Sequence, residues 1–143
     1  MSIASIILAA AKATGIPGVL LLAICTHESK LNNVVVQDDN GSPSYGVCQI
    51  KEETAKMVGF TDSEDLMQPK TNAKYAALYL KKQLDRYDGN WCKATAAYNA
   101  GSYNPSVIPG KPRNLKYIKS ITLLLDEKHK DKLICGARKI ASE

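Results

Sequence analysis

The stretch Thr26-His27-Glu28-Ser29-Lys30-Leu31-Asn32 holds the residues best placed to do chemistry. It follows an apolar run, Val19-Leu20-Leu21-Leu22-Ala23-Ile24-Cys25, so Glu28 stands where a buried helix meets a polar loop. Burial at such a point disfavours the charged carboxylate and raises its pKa. A carboxylic acid that keeps its proton near neutral pH can serve as a general acid. Other chemistries fit less well. His27-Glu28 opens like the zinc motif H-E-x-x-H, but Leu31 stands where the second histidine belongs. Asp38-Asp39-Asn40-Gly41 hints at a calcium loop but lacks the spacing and the closing glutamate. Ser44 and Ser102 have no context that marks a nucleophile. His129 lies in a charged segment and reads as solvated. No phosphate loop or dinucleotide fingerprint is present, so neither a metal nor a cofactor is expected.

The elements that must position Glu28 can be read from patterning. Ile3, Ile6, Ile7 and Ala10 share one face of a helix over about 3–14, with Gly15 as its C-terminal cap. Pro17 suits the first turn of a second helix over about 17–29, apolar round most of its surface and therefore central. Val34 to Val36 and the turn formers from Asp38 to Ser44 predict a two-strand hairpin with its loop across Asn40-Gly41. A short helix over 51–58 ends at Gly59, and a turn follows before Pro69. The segment 72–87 is a strong helix, with Ala73, Ala76, Ala77, Leu80 and Leu84 inward. Helices over 91–100, 115–125 and 130–140 complete the chain, with a proline-rich loop over 102–113. The fold class is mainly α, at most α+β with a minimal hairpin, in a single domain over 1–143.

The 143 residues suffice for one core, and hydrophobic and charged fractions of 45% and 23% are ordinary for a globular protein. The net charge of +5 suits a polyanionic partner without identifying one. No basic stripe interleaved with aromatics points to nucleic acid, and no run is long enough for stable membrane insertion. The apolar N-terminus lacks a preceding Lys or Arg, so it reads as a domain helix rather than a signal peptide. Cys25, Cys48, Cys92 and Cys135 are too widely spaced for a zinc site. Free buried thiols are the expected state, with disulfides as the alternative if the protein matures outside the cytoplasm.

Three blocks together resemble a known family. Glu28-Ser29-Lys30-Leu31-Asn32 is similar to its E-S-x-[F/L]-[N/D] motif, Tyr45-Gly46-Val47-Cys48-Gln49-Ile50 to its G-[L/I/V]-M-Q-[I/L] motif, and Ala96-Ala97-Tyr98-Asn99-Ala100-Gly101 to its A-x-Y-N-A-G motif. Pro69-x-x-Asn72 with Tyr79-Leu80, and Leu115-Lys116-Tyr117-Ile118, resemble two further elements in the same order. The family is the soluble lytic transglycosylases of the lysozyme superfamily. The resemblance implies a lysozyme-like helical domain with a short hairpin beside a glycan-binding groove. It implies peptidoglycan as substrate and cleavage of the MurNAc–GlcNAc β-1,4 bond without water, leaving 1,6-anhydro ends.

On that resemblance Glu28 is the catalytic residue, first acid and then base. Ser44, Gln49, Tyr98, Asn99 and Tyr117 are the expected substrate contacts. Three of them have a plainer alternative: a structural hydrogen bond for Gln49, and a core position with a satisfied hydroxyl for Tyr98 and Tyr117. Ser29 reads as a local helix-end hydrogen bonder. Two departures stand out. Cys48 replaces the usual Met, and Ser44 stands where hydrolysing animal-type lysozymes carry an Asp before a similar Tyr-Gly. The second departure favours non-hydrolytic chemistry, unless Asp38 or Asp39 reaches in from the neighbouring loop. A hydrolytic muramidase and a non-catalytic wall-binding component are the alternatives. With no convincing signal peptide and a substrate in the cell wall, a bacteriophage protein delivered with virion proteins or a holin is one expected setting, and a secretion-system accessory enzyme, which would normally need export, is the other.

Overall fold

The computed structural model describes residues 1–136, in two compact units: the first is Met1–Lys82, and the second begins at Gln83, with the boundary inside one long helix. In the first unit, α1 (Ile3–Thr14) starts at Ser2, whose Oγ accepts from the Ser5 N–H, and ends at Gly15, left-handed at φ 80°. Helix α2 (Gly18–Ser29) packs on it and buries Leu20, Leu21, Ala23, Ile24 and Cys25. Pro17 is the residue before this helix rather than its first turn. Strands β1 (Val35–Asp39) and β2 (Ser42–Tyr45) form an antiparallel pair, in register at Val35 with Tyr45 and at Val36 with Ser44, and irregular between Val36 and Asp39. Asn40 and Gly41 both take positive φ in the turn, as a tight hairpin demands.

A short α3 (Glu52–Lys56) packs against β2, and α4 (Pro69–Arg86) begins three residues earlier than the patterning suggests, because proline is accepted in a first helical turn. Ala73, Ala76, Ala77 and Leu80 are fully buried on its inner face. Tyr75 is buried too, and its hydroxyl donates to Glu64. That bond favours the protonated phenol and pushes Tyr75 up to about 12, while holding the Glu64 carboxyl below its usual value. A raised Tyr pKa stabilises the fold below the unfolded value and loses that contribution as pH rises. The melting temperature should therefore fall between pH 10 and about 12 as the bond is lost, and Tyr75→Phe should flatten that fall.

In the second unit, Asn90 caps α5 (Trp91–Ala100) by accepting from the Lys93 N–H at 2.9 Å, and Gly101 ends it in the left-handed region. Helix α6 (Leu115–Leu123) packs on α5, burying Tyr117, Ile118 and Ile121. The expected helix over 130–140 does not form as such. Instead a four-residue α7 (Glu127–Lys130) runs into a 3-10 turn (Asp131–Leu133), and the chain is extended by Ile134. The rest of that prediction lies outside the described residues. His129 is not simply solvated: it stacks on Trp91 with 5.7 Å between centroids and bonds Asp126.

The free-thiol expectation is corrected. Cys25 is bonded to Cys48 and Cys92 to Cys135, so no described cysteine is free. Wide spacing in sequence argued only against zinc. It carried no information on which distant segments the fold brings within sulfur–sulfur reach.

Candidate functional site

Glu28 is the penultimate residue of α2 and is half-buried. The helix ends by an unusual route. Lys30 and Leu31 both take left-handed φ, at 55° and 62°, and the Lys30 N–H closes the turn on the Thr26 carbonyl. Two consecutive non-glycine residues in this region cost on the order of 1–2 kcal/mol each, so surrounding bonds must impose them. Those bonds are present. Ser29 Oγ donates to the Val47 carbonyl at 2.6 Å, and the Cys25–Cys48 disulfide joins the helix to the same loop one residue further on. Ser29 thus does more than the expected local bond, which is also present as the longer contact to the Cys25 carbonyl. Beside Glu28, partial burial lowers the His27 pKa and so disfavours the charged imidazole.

The loop that meets Ser29 is itself clamped. Asn72, fully buried on α4, accepts from the Cys48 N–H at 2.8 Å and donates to the Tyr45 and Leu66 carbonyls at 2.7 and 2.8 Å. Gly46, at φ 78°, lies against this amide, and a Cβ there would come within 2.3 Å of Asn72 Nδ2. The Asn72 element was visible in the sequence, but its role was not, because bonds from one side chain to groups 6, 24 and 27 residues away leave no local pattern. Asn72→Ala would leave the Cys48 N–H and the Leu66 carbonyl without partners, while the Tyr45 carbonyl keeps its bond from the Ile50 N–H. We expect a loss of at least about 2 kcal/mol in urea unfolding, at a cost of about 1–3 kcal/mol per orphaned group.

Gln49 also has positive φ, and its Nε2 donates to the Val34 carbonyl at 2.9 Å and the Gly46 carbonyl at 2.8 Å. Of its two expected roles, this geometry describes the ordering of the hairpin. Ser44, an expected substrate contact, sits inside the hairpin. It is 1% exposed, and its hydroxyl donates to Asp39 Oδ2 at 2.7 Å. The half-buried Asp39 carboxylate is what this corner of the hairpin presents, and the Lys51 ammonium bonds the Asp39 carbonyl from the other side. Spacing alone raised Asp39 only as a caution. Its tie to Ser44 follows from the irregular register between Val36 and Asp39.

The remaining candidates belong to the second unit. Tyr98 is half-buried on α5, and the exposed Asn99 accepts from Asn114 Nδ2 at 2.9 Å. Asn114 also donates to the Ala96 carbonyl at 3.1 Å, linking the end of α5 to the start of α6. Tyr117 lies on α6 and is 9% exposed.

Among the described residues, helices with a small two-strand antiparallel sheet make the architecture of a lysozyme-like domain. The transglycosylase SLT domain matches residues 5–118, and the chain belongs to that family. Among solved structures it is similar to an inactive mutant of the lytic transglycosylase Slt from Pseudomonas aeruginosa, with a TM-score of 0.60 and 20% identity. The match covers 92% of this chain and 22% of that one, so the chain spans about a fifth of the length of that protein.

Proposed function

We propose that the protein is a peptidoglycan lytic transglycosylase, cleaving the MurNAc–GlcNAc bond non-hydrolytically with Glu28 as acid and then base. The observation that carries this reading is the holding of Glu28 at a strained helix end tied to the Val47–Cys48 loop, in a chain of the transglycosylase SLT family. The Pseudomonas protein supports it, since replacement of one glutamate by glutamine gives its inactive form. Glu28 would protonate the leaving oxygen. The resulting carboxylate would then take the proton of the sugar's 6-hydroxyl as the anhydro ring closes. Tyr98, Asn99 and Tyr117 are the proposed sugar contacts. Gln49 and Asn72 are proposed to act by holding the loop beside Glu28.

One observation supports hydrolysis as a second reading. Ser44, standing where a carboxylate serves the animal-type lysozymes, bonds the Asp39 carboxylate and so returns an acid to that corner. Digestion of purified peptidoglycan and mass analysis of the fragments decides between them. Anhydro ends, lighter by one water than reducing ends, are the expected product, and they should persist in Asp39→Asn. Reducing ends alone would overturn the transglycosylase reading.

We place the site of action at the cell wall, outside the cytoplasm. Two disulfides support this, because such bonds persist in oxidising compartments. Delivery with a virion, or past the membrane with a holin, is compatible with that setting.

A further inference from the structure

The second unit carries a surface that the proposed reaction does not use. Between Asp88 and Asp126 the sequence has five cations, Lys93, Lys111, Arg113, Lys116 and Lys119, and no acid. Lys111, Arg113, Lys116 and Lys119 are all exposed, and none is in an ion pair among the described residues. Large apolar side chains are exposed in the same part of the chain. Val107 is 99% and Ile108 55% exposed in the 102–113 loop, and Leu123 is 78% exposed on α6. Residues 116, 119 and 123 follow helical spacing, so Lys116, Lys119 and Leu123 share one face.

The exposure of the loop tip is held in place. Ser106 N–H donates to the Lys111 carbonyl at 2.9 Å, Lys111 N–H to the Ile108 carbonyl at 3.1 Å, and Arg113 N–H to the Asn104 carbonyl at 2.8 Å. Ser106 Oγ accepts from the Ile108 N–H and bonds the Lys111 carbonyl. Pro105 and Pro112 face each other across the loop as an isolated bridge. This bracing keeps Val107 and Ile108 at the tip instead of letting them fold back under cover. Exposed aliphatics among unpaired cations match a phase that is anionic at its surface and apolar beneath it. A glycan strand or a nucleic-acid backbone supplies the charge but no apolar phase.

We propose that this face docks peripherally on an anionic lipid bilayer, with Val107 and Ile108 entering the headgroup boundary and Lys111, Arg113, Lys116 and Lys119 meeting lipid phosphates. Docking would hold the domain at a membrane surface. The proposal stands apart from the catalytic reading, because its test needs no turnover.

The test is vesicle flotation of the full chain. Phosphatidylglycerol vesicles should carry the protein, phosphatidylcholine vesicles should not, and added salt should weaken binding. Val107→Ser with Ile108→Ser should reduce binding by about tenfold or more, since two aliphatic side chains no longer leave water. Lys111→Glu with Lys119→Glu should reduce it by roughly fivefold or more per charge lost. Both pairs are exposed, so circular dichroism and melting should be unchanged, and so should digestion of purified peptidoglycan. Equal binding of the serine pair and the parent would overturn the proposal, showing a plain basic patch for an acidic polymer or protein. So would complete competition by soluble polyglutamate at matched charge, or no binding to phosphatidylglycerol at all.

Discussion

Glu28→Gln should lower peptidoglycan cleavage by at least about a thousandfold while leaving the fold intact. A positioned general acid or base contributes about 10²–10⁴ in rate, and the proposed mechanism asks Glu28 to fill both roles in one turnover. Glutamine keeps the shape and the carbonyl acceptor but neither gives nor takes a proton at neutral pH. Its effect on stability should be small. Glu28 is half-buried, and the bonds that shape the helix end come from Ser29, Cys25 and the Lys30 backbone. The variant should therefore melt with the parent and still pellet with insoluble peptidoglycan. The measurement is release of soluble fragments over time, alongside a thermal melt and a pull-down. More than about one-hundredth of the parental rate would remove Glu28 from the proton-transfer role. Loss of both binding and melting transition would instead mark it as structural.

What could be read from the sequence was what local chemistry determines. Gly15 and Gly101 ended helices where they were expected to, because a left-handed cap needs glycine at that one residue. Asn40-Gly41 placed the hairpin turn for the same reason. The place of Glu28, half-buried at the end of an apolar helix, was legible because the apolar run ends abruptly beside it. What stayed hidden were ties across the chain. Ser29 reaches Val47, Asn72 reaches Tyr45, Cys48 and Leu66, and Cys92 reaches Cys135, and none of these separations has a period that patterning can detect. Ser44 shows the limit most plainly. Its position marked it by resemblance as a substrate contact, while its bond to Asp39 across an irregular stretch of the hairpin leaves no pattern in the sequence. The segment after Lys130 misled for a related reason: its helical spacing was overridden by an extended stretch that carries Cys135 to Cys92.

Removing the two disulfides should produce the largest losses of stability in this protein. Cys25–Cys48 closes a separation of 23 residues and Cys92–Cys135 one of 43. On the chain-entropy account these constrain the unfolded state by about 3 and about 4 kcal/mol. Together they compare with the whole margin of a domain this size, about 5–15 kcal/mol. Cys25 and Cys48 are fully buried, and Cys92 and Cys135 nearly so, so paired alanine substitutions avoid burying new hydroxyls. Urea unfolding of Cys25→Ala with Cys48→Ala, and of Cys92→Ala with Cys135→Ala, measures the two losses separately. The two should differ in kind as well as size. The first pair joins the helix of Glu28 to the loop that Ser29 and Asn72 also grip, so its loss should slow cleavage even at temperatures where the variant stays folded. The second joins the start of α5 to the chain's last described segment and should lower the melting temperature without slowing the folded enzyme. Equal effects on kcat from both pairs would show that the Cys25–Cys48 bond does nothing particular for Glu28. A loss below about 1 kcal/mol from either pair would show that the remaining packing already supplies the constraint.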